Sequence, residues 1–195
     1  MLVLVASVGR AGDEQQGYFE QSVALEGEQK YSEALETLNK ITGPRAHDYI
    51  VELRRGWLSY LLGDYDGAIA AYRQATRLNS QSIEAKLGLM LPQLAASKWA
   101  DAERTGLAVT RLDPGNYLAN SRLAYVYYSQ ARYPDAAEYY ALVLKSYPGD
   151  IEMRSGYAWS LFMQQRREAA RIEFKKILAV SPSHQAALKG LKLCP

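Results

Sequence analysis

The chain has 195 residues, of which 48% are hydrophobic and 23% are charged, and its formal net charge is +2. This composition excludes an intrinsically disordered chain, and so small a net charge does not by itself indicate a nucleic-acid partner. The single cysteine, Cys194, excludes an internal disulfide and a structural zinc site of the thiolate-rich kind.

The first predicted element is an apolar N-terminal segment, residues 1–14, which begins MLVLVASV and continues through Gly9, Arg10 and Ala11. An apolar stretch followed by small residues is typical of the end of a secretory signal, although the basic region that normally precedes it is missing. A signal remnant would place the protein in the periplasm or outside the cell. The alternative is a short apolar tail that packs on the first hairpin of a cytoplasmic protein.

From residue 15 onward the sequence repeats itself with a period of about 34 residues. The clearest column holds alanine in all five copies: Ala34, Ala68, Ala102, Ala136 and Ala170. Twelve residues before each alanine, four of five positions are small: Ser22, Gly56, Met90, Ala124 and Ala158. Each copy contains two apolar stretches of helical period with turn residues between them, so each copy is predicted to be a helix hairpin.

The best single copy reads LGDYDGAI over residues 62–69, followed by Tyr72 and Ala75. Together with the length of the period, this pattern resembles the tetratricopeptide repeat (TPR). The resemblance implies an all-α, right-handed solenoid of five antiparallel helix hairpins with a C-terminal capping helix. We place the hairpins at 15–48, 49–82, 83–116, 117–150 and 151–184, and the capping helix at 185–195. One hairpin cannot bury its apolar face alone, whereas stacked hairpins share a continuous core.

Local chemistry predicts where several helices begin and end. Gly63 can end a helix in the left-handed conformation that other residues avoid. Ser32 and Asp66 are predicted N-caps, and Pro134 fits the first turn of a helix. Pro92 falls inside a predicted helix, where it either kinks the helix at a cost of about 3 kcal/mol or is tolerated by its neighbours.

In solenoids of this family, the first helix of each repeat lines a concave groove. The resemblance therefore implies a peptide-binding groove formed by large apolar side chains: Phe19, Trp57, Tyr60, Leu87, Leu91, Tyr125, Tyr128, Trp159 and Phe162. Family members that clamp a carboxylate have Lys, Asn or Arg at groove positions that here are apolar, aromatic or serine, which argues against that activity. The expected partner is a helical or apolar peptide segment. The alternative is that some of these side chains are core, or are covered by the N-terminal segment.

Charge is distributed unevenly along the chain. Residues 1–48 hold four basic and eight acidic side chains, whereas residues 151–195 hold eight basic and three acidic ones. The densest basic set is Arg166, Arg167, Arg171, Lys175 and Lys176. The alternative function is therefore a self-assembling, head-to-tail scaffold of a bacterial envelope or secretion complex, in which unlike ends meet. The basic end could instead dock on an anionic surface, or both ends could simply be solvated.

Nothing in the sequence indicates catalysis. Its two histidines, His47 and His184, fall in turns four repeats apart, and Cys194 lies in the C-terminal tail. The sequence contains no phosphate-binding glycine loop, nucleophile elbow or metal-ligand motif, and no run of the roughly 20 apolar residues that span a membrane. We therefore predict a non-catalytic protein-binding adaptor without cofactor, metal or nucleic acid, which either stays monomeric or forms a homo-oligomer.

Overall fold

The computed structural model describes the backbone of residues 2–194 and the side chains of residues 14–194. The predicted N-terminal segment, 1–14, therefore lies almost wholly outside the residues with described side chains. Its interpretation as a signal remnant stays a prediction.

The described residues form eleven α-helices and one 3₁₀ helix, and they contain no β-strand. The α-helices are α1 (Leu2–Gly27), α2 (Tyr31–Leu38), α3 (Tyr49–Leu61), α4 (Tyr65–Leu78), α5 (Ile83–Ala95), α6 (Trp99–Leu112), α7 (Tyr117–Ser129), α8 (Tyr133–Ser146), α9 (Ile151–Met163), α10 (Arg167–Val180) and α11 (Gln185–Leu193), and the 3₁₀ helix spans Gly43–His47. The chain divides into two compact units, Met1–Lys98 (unit 1) and Trp99–Pro195 (unit 2). The repeat boundaries stay predictions, and the third predicted repeat, 83–116, is shared between the units.

In unit 1, α2 packs against α1 and α3, and α4 packs against α3 and α5. The second helix of the first predicted hairpin is shorter than expected, because α2 has only 8 residues against 14 in α4. Residues 39–42 form a turn and irregular backbone where α4 is still helical, and Gly43, in the left-handed conformation, and Pro44 then start the 3₁₀ helix. In α5 the helix continues through the buried Pro92 to Ala95.

In unit 2, α7 packs against α6 and α8, α9 against α8 and α10, and α11 against α9 and α10. The capping helix α11 buries Ala187 and Gly190. Cys194 follows α11 in the C-terminal tail, as expected, and it is buried in the same core cluster as Phe174. Burial raises the pKa of the Cys194 thiol.

The alanine column identified in the sequence is wholly buried: Ala34, Ala68, Ala102, Ala136 and Ala170 are each 0% exposed. A side chain of one carbon allows two helices to approach closely without leaving a void. The column therefore recurs because each hairpin needs a small residue where its helices meet.

A second recurrence is visible only in the backbone. The turn before α2, α4, α6, α8 and α10 holds one residue with φ between 53° and 77°: Gln29, Gly63, Ser97, Ala131 and Gln165. Gly63 is left-handed as predicted, but the other four positions carry a β-carbon in a conformation that disfavours one. The geometry of the turn thus recurs along the chain even where glycine does not.

The two predicted N-caps are wrong. Ser32 lies inside α2, and Asp66 lies inside α4, whose N-cap is Asp64. The carboxylate of Asp64 accepts a hydrogen bond of 3.0 Å from the Gly67 backbone N–H. Because the left-handed residue ends the preceding turn, the cap falls directly after it, two residues earlier than the pattern predicted.

Turns between successive hairpins are tied to the next helix by a recurring side-chain hydrogen bond. Carbonyl oxygens at equivalent positions of successive repeats accept it: Ala46 from Arg55, Ser80 from Lys86, Pro114 from Asn120 and Pro148 from Arg154. Three of the four donors lie six residues after their acceptor. The residue six positions after Ala46 is Glu52, which cannot donate, and Arg55 donates the hydrogen bond instead. These bonds satisfy loop carbonyls that no backbone N–H reaches.

Candidate functional site

The predicted groove residues of unit 1 lie on α1, α3 and α5. Side chains of α3 form hydrogen bonds with α1, and α3 packs against α5. All five predicted residues are half-buried: Phe19, Trp57, Tyr60, Leu87 and Leu91. They are therefore neither sealed in the core nor free in solvent.

A cleft of about 370 Å³ opens on these helices, and we call it the Trp57 cleft. Its lining combines apolar and charged side chains: Phe19, Glu26, Ile50, Leu53, Arg54, Trp57, Tyr72 and Glu84. Phe19 and Trp57 were predicted from the sequence. The three charged residues were not, because the expected groove was apolar.

Trp57 is held in one orientation by contacts on two sides. Its Nε1–H donates a hydrogen bond of 2.7 Å to Oε1 of Glu26. Its ring stacks on Tyr60 with centroids 5.8 Å apart. The other carboxylate oxygen of Glu26 lies 2.8 Å from Nη2 of Arg54. The indole is thus a fixed wall of the cleft, and an incoming ligand does not have to order it.

Arg54 joins α3 to α1. Its guanidinium donates to Oγ of Ser22 at 3.0 Å and to the Ser22 carbonyl at 2.7 Å. It also lies over the ring of Phe19, 5.6 Å from the centroid. Arg54 therefore positions both Glu26 and Phe19.

A second cleft of about 530 Å³ lies beside the first and shares Phe19 and Ile50 with it. Its other lining residues are Gln15, Gln16, Ile41, Arg45, Asp48, Tyr49 and Val51. Ile50, in the first turn of α3, is 60% exposed. Ile50 therefore presents an exposed aliphatic side chain at the border of both clefts.

The predicted groove residues of unit 2 lie on α7 and α9. Tyr125 is 51% exposed and packs edge-on against Trp99 with centroids 6.0 Å apart. Trp159 packs edge-on against Phe162 at 5.5 Å, and Tyr128 against Tyr133 at 5.4 Å. The structure thus leaves each of these four predicted residues at least partly exposed and next to another aromatic ring.

The predicted basic set lies on or next to α10, and it is partly neutralised. Lys176 pairs with Glu173 at 2.6 Å, and Arg171 lies 3.6 Å from Glu168. Arg166, Arg167 and Lys175 are exposed.

The histidines and acidic side chains of the described residues do not gather into a metal site. The described residues contain no group of three His, Cys, Asp or Glu side chains that could hold a metal ion. His47 Nδ1 lies 3.1 Å from Glu52, and the His184 ring accepts a hydrogen bond from the Ala187 N–H, so both are engaged locally. Within the same part of the chain, no helix combines the length and the apolar character needed to cross a membrane.

Comparison with known proteins gives two matches to models of the tetratricopeptide repeat, over residues 93–151 and 53–82. A TPR repeat-containing protein of Methanocaldococcus jannaschii is 28% identical, over 86% of this chain. The chain spans only 37% of that relative.

Solved structures of TPR proteins share the fold. The crystal structure of MamA superimposes with a TM-score of 0.81 at 20% identity, covering 86% of this chain and 92% of MamA. MamA from Desulfovibrio magneticus RS-1 gives 0.82 at 18% identity, covering 89% and 98%. YrrB, described as a TPR protein with an unusual peptide-binding site, gives 0.82 at 15% identity, covering 96% and 97%.

These matches confirm the predicted all-α, repeat-built fold. Proteins of this family are generally non-catalytic modules for protein interaction. The regular recurrence in the sequence, the helix hairpins and the matches to family models agree, and the chain belongs to the tetratricopeptide repeat family.

Proposed function

We propose that this protein is a non-catalytic adaptor that binds a helical or apolar peptide segment of a partner protein in the Trp57 cleft. The observation that carries the proposal is the state of Trp57 itself. The indole is held by Glu26 and Tyr60, yet it lines an open cleft together with Leu53 and Ile50. Tryptophan is among the residues most enriched at binding hot spots, and ligand pockets are lined mainly by hydrophobic and aromatic side chains.

The predicted groove residues of unit 2 are proposed as a further contact surface for the same kind of ligand. We call this surface the aromatic face of unit 2, and it consists of Tyr125, Tyr128, Trp159 and Phe162. Tyr125 is half-exposed, and Trp159 and Phe162 support each other edge-on. Tyrosine and tryptophan supply large contact areas with few rotatable bonds to order. The peptide-binding site named for YrrB, a structure of the same fold, is consistent with peptide binding here.

The proposal is tested by selecting binders to the full chain from a phage-displayed library of random 12-residue peptides. Trp57→Ala is expected to weaken the selected peptides by about 30-fold or more, the effect of losing a hot-spot residue. Trp159→Ala measures the contribution of unit 2. Tyr147→Ala is the matched control and should bind normally. It removes an aromatic ring that is 48% exposed and belongs neither to the Trp57 cleft nor to the aromatic face of unit 2. A set of selected peptides that all tolerate Trp57→Ala would refute the proposal, whatever their response to Trp159→Ala.

Self-assembly is the second candidate function. It is favoured by the exposed Arg166, Arg167 and Lys175 near one end of the chain and by exposed carboxylates such as Glu33 and Glu36 near the other. Such contacts between exposed charges weaken as salt shortens the screening length. Light scattering after size exclusion should then show an oligomer at low salt that dissociates at high salt. A monomer at both salt concentrations would exclude this function.

A further inference from the structure

The charges of the Trp57 cleft do not balance. Its lining holds two carboxylates, Glu26 and Glu84, and one guanidinium, Arg54. Arg54 pairs with Glu26 at 2.8 Å, and both side chains are largely shielded from solvent. Glu84 is exposed at the first turn of α5, and the Tyr49 hydroxyl donates to its Oε2 at 3.3 Å, a long hydrogen bond. The net negative charge of the cleft therefore resides on Glu84.

The cation in the cleft is not available to an acidic ligand. Arg54 already donates to the Ser22 hydroxyl and the Ser22 carbonyl in addition to Glu26. To bind a ligand carboxylate, it would have to break a bidentate link between α1 and α3. A ligand with a negative charge would also face Glu84 directly, which adds repulsion.

We infer that the Trp57 cleft selects a peptide segment that presents a lysine or arginine side chain next to an apolar one. This inference rests on the proposed function and specifies the chemistry of its ligand. Glu84 receives the cation, while Ile50, Leu53 and the face of Trp57 receive the apolar neighbour. The indole ring of Trp57 also attracts the cationic group, because the face of its π system carries negative charge.

The same library of random 12-residue peptides tests the inference through the composition of the sequences it yields. On the wild-type chain, selected peptides should be enriched in lysine and arginine and depleted in aspartate and glutamate. On the Glu84→Gln variant the enrichment should disappear, whereas apolar residues should still be selected. Glu36→Gln, which removes an exposed carboxylate of α2, is the matched control and should leave the enrichment unchanged.

Matched synthetic peptides measure how strongly the cleft prefers a basic residue. The most enriched sequence is made with its basic residue retained or replaced by glutamine or glutamate, and each version is titrated against wild type and Glu84→Gln. Retaining the cation should improve binding to wild type roughly two- to fivefold over glutamine, as for other exposed ion pairs. The advantage should vanish in Glu84→Gln and shrink at high salt.

The outcomes separate the two claims. Peptides that depend on Trp57 but show no preference for a basic residue, or keep that preference in Glu84→Gln, overturn the inference and leave the adaptor function standing. Enrichment of acidic residues also overturns it. Recovery of no peptide that depends on Trp57 overturns the proposed function, and the inference with it.

Discussion

Tyr72 on α4 packs into a slot between Gly56 on α3 and Gly88 on α5. A β-carbon on Gly56 would lie 2.7 Å from Cδ2 of the ring, and one on Gly88 would overlap Cε1. The same relationship links Tyr140 to Gly156 and Phe174 to Gly190, at equivalent positions of later repeats.

This packing joins two columns of the repeat. The first column is positions 38, 72, 106, 140 and 174, and the second is positions 54, 88, 122, 156 and 190. The side chains of the two columns are matched in size. Where the first holds a large ring, the second holds glycine: Tyr72 with Gly88, Tyr140 with Gly156, and Phe174 with Gly190. Where the first holds Leu38 or Gly106, the second holds Arg54 or Arg122. Packing density in the interior explains the match, because a ring and a long side chain cannot share one slot. The arginine that organises the Trp57 cleft thus occurs where the preceding hairpin has no aromatic ring.

Gly88→Ala is expected to lower the free energy of unfolding by about 1–3 kcal/mol, because the Tyr72 ring must shift. Chemical denaturation measures it. Gly17→Ala is the matched control on α1, since a β-carbon there meets nothing within 4 Å. It should raise the stability by about 0.5–1 kcal/mol through helix propensity. Restoring space with Tyr72→Leu should make Gly88→Ala less costly, and additive effects of the two changes would contradict the slot.

Ala131→Gly is expected to stabilise the protein by about 1 kcal/mol. Ala131 has φ of 58°, where its β-carbon is disfavoured and glycine is not. Gly63→Ala, at the equivalent turn with φ of 77°, should destabilise the protein by a similar amount. Thermal unfolding of both variants decides the matter. If Ala131→Gly proved destabilising, the left-handed geometry assigned to this turn would be wrong.

Arg54→Met is expected to cost about 1–3 kcal/mol, because it leaves the shielded Glu26 carboxylate without its cation. It should also weaken peptide binding, since Glu26 orients Trp57. Chemical denaturation measures the stability, and the NMR resonance of the indole N–H reports the environment of Trp57. Arg111→Met removes an exposed arginine of α6 and should change neither. An unshifted indole resonance in Arg54→Met would show that Glu26 holds Trp57 without help.

Alkaline pH should destabilise the protein partly through Tyr140. Burial raises the pKa of Tyr140 from 10.0 to about 12, so the folded state keeps this proton where the unfolded state has lost it. The stabilisation is complete below pH 10 and is lost as the pH rises from 10 to about 12. The slope for one group is about 1.4 kcal/mol per pH unit. Tyr140→Phe should therefore make stability fall less steeply over this range, and an identical slope would contradict the shift.

The helical class and the spacing of the helices were predictable because they follow from local properties. Ala68 indicates a close helix contact and Gly63 indicates a left-handed turn, and both features depend only on residues a few positions away. The period with which such residues recur can therefore be found without knowing how the helices pack. The N-cap of α4 was misplaced at Asp66 instead of Asp64, because the two aspartates are separated by one residue and satisfy the same pattern. The short α2 was missed because the apolar period continues to Ile41 although Pro44 follows.

For the candidate site, sequence alone determined which helices and which aromatic residues were expected to line it. Only the tertiary structure decided how those residues are held. Trp57, Arg54 and Glu26 meet across about 30 residues of chain, and long side chains reach partners that no local pattern specifies. The structure also distinguished the half-exposed Tyr125 from the buried Tyr127 and Tyr140, which are similar residues in similar sequence. Periodicity arises from backbone geometry and can therefore be recognised in the order of residues along the chain. Charge balance and burial, in contrast, depend on which helices pack together.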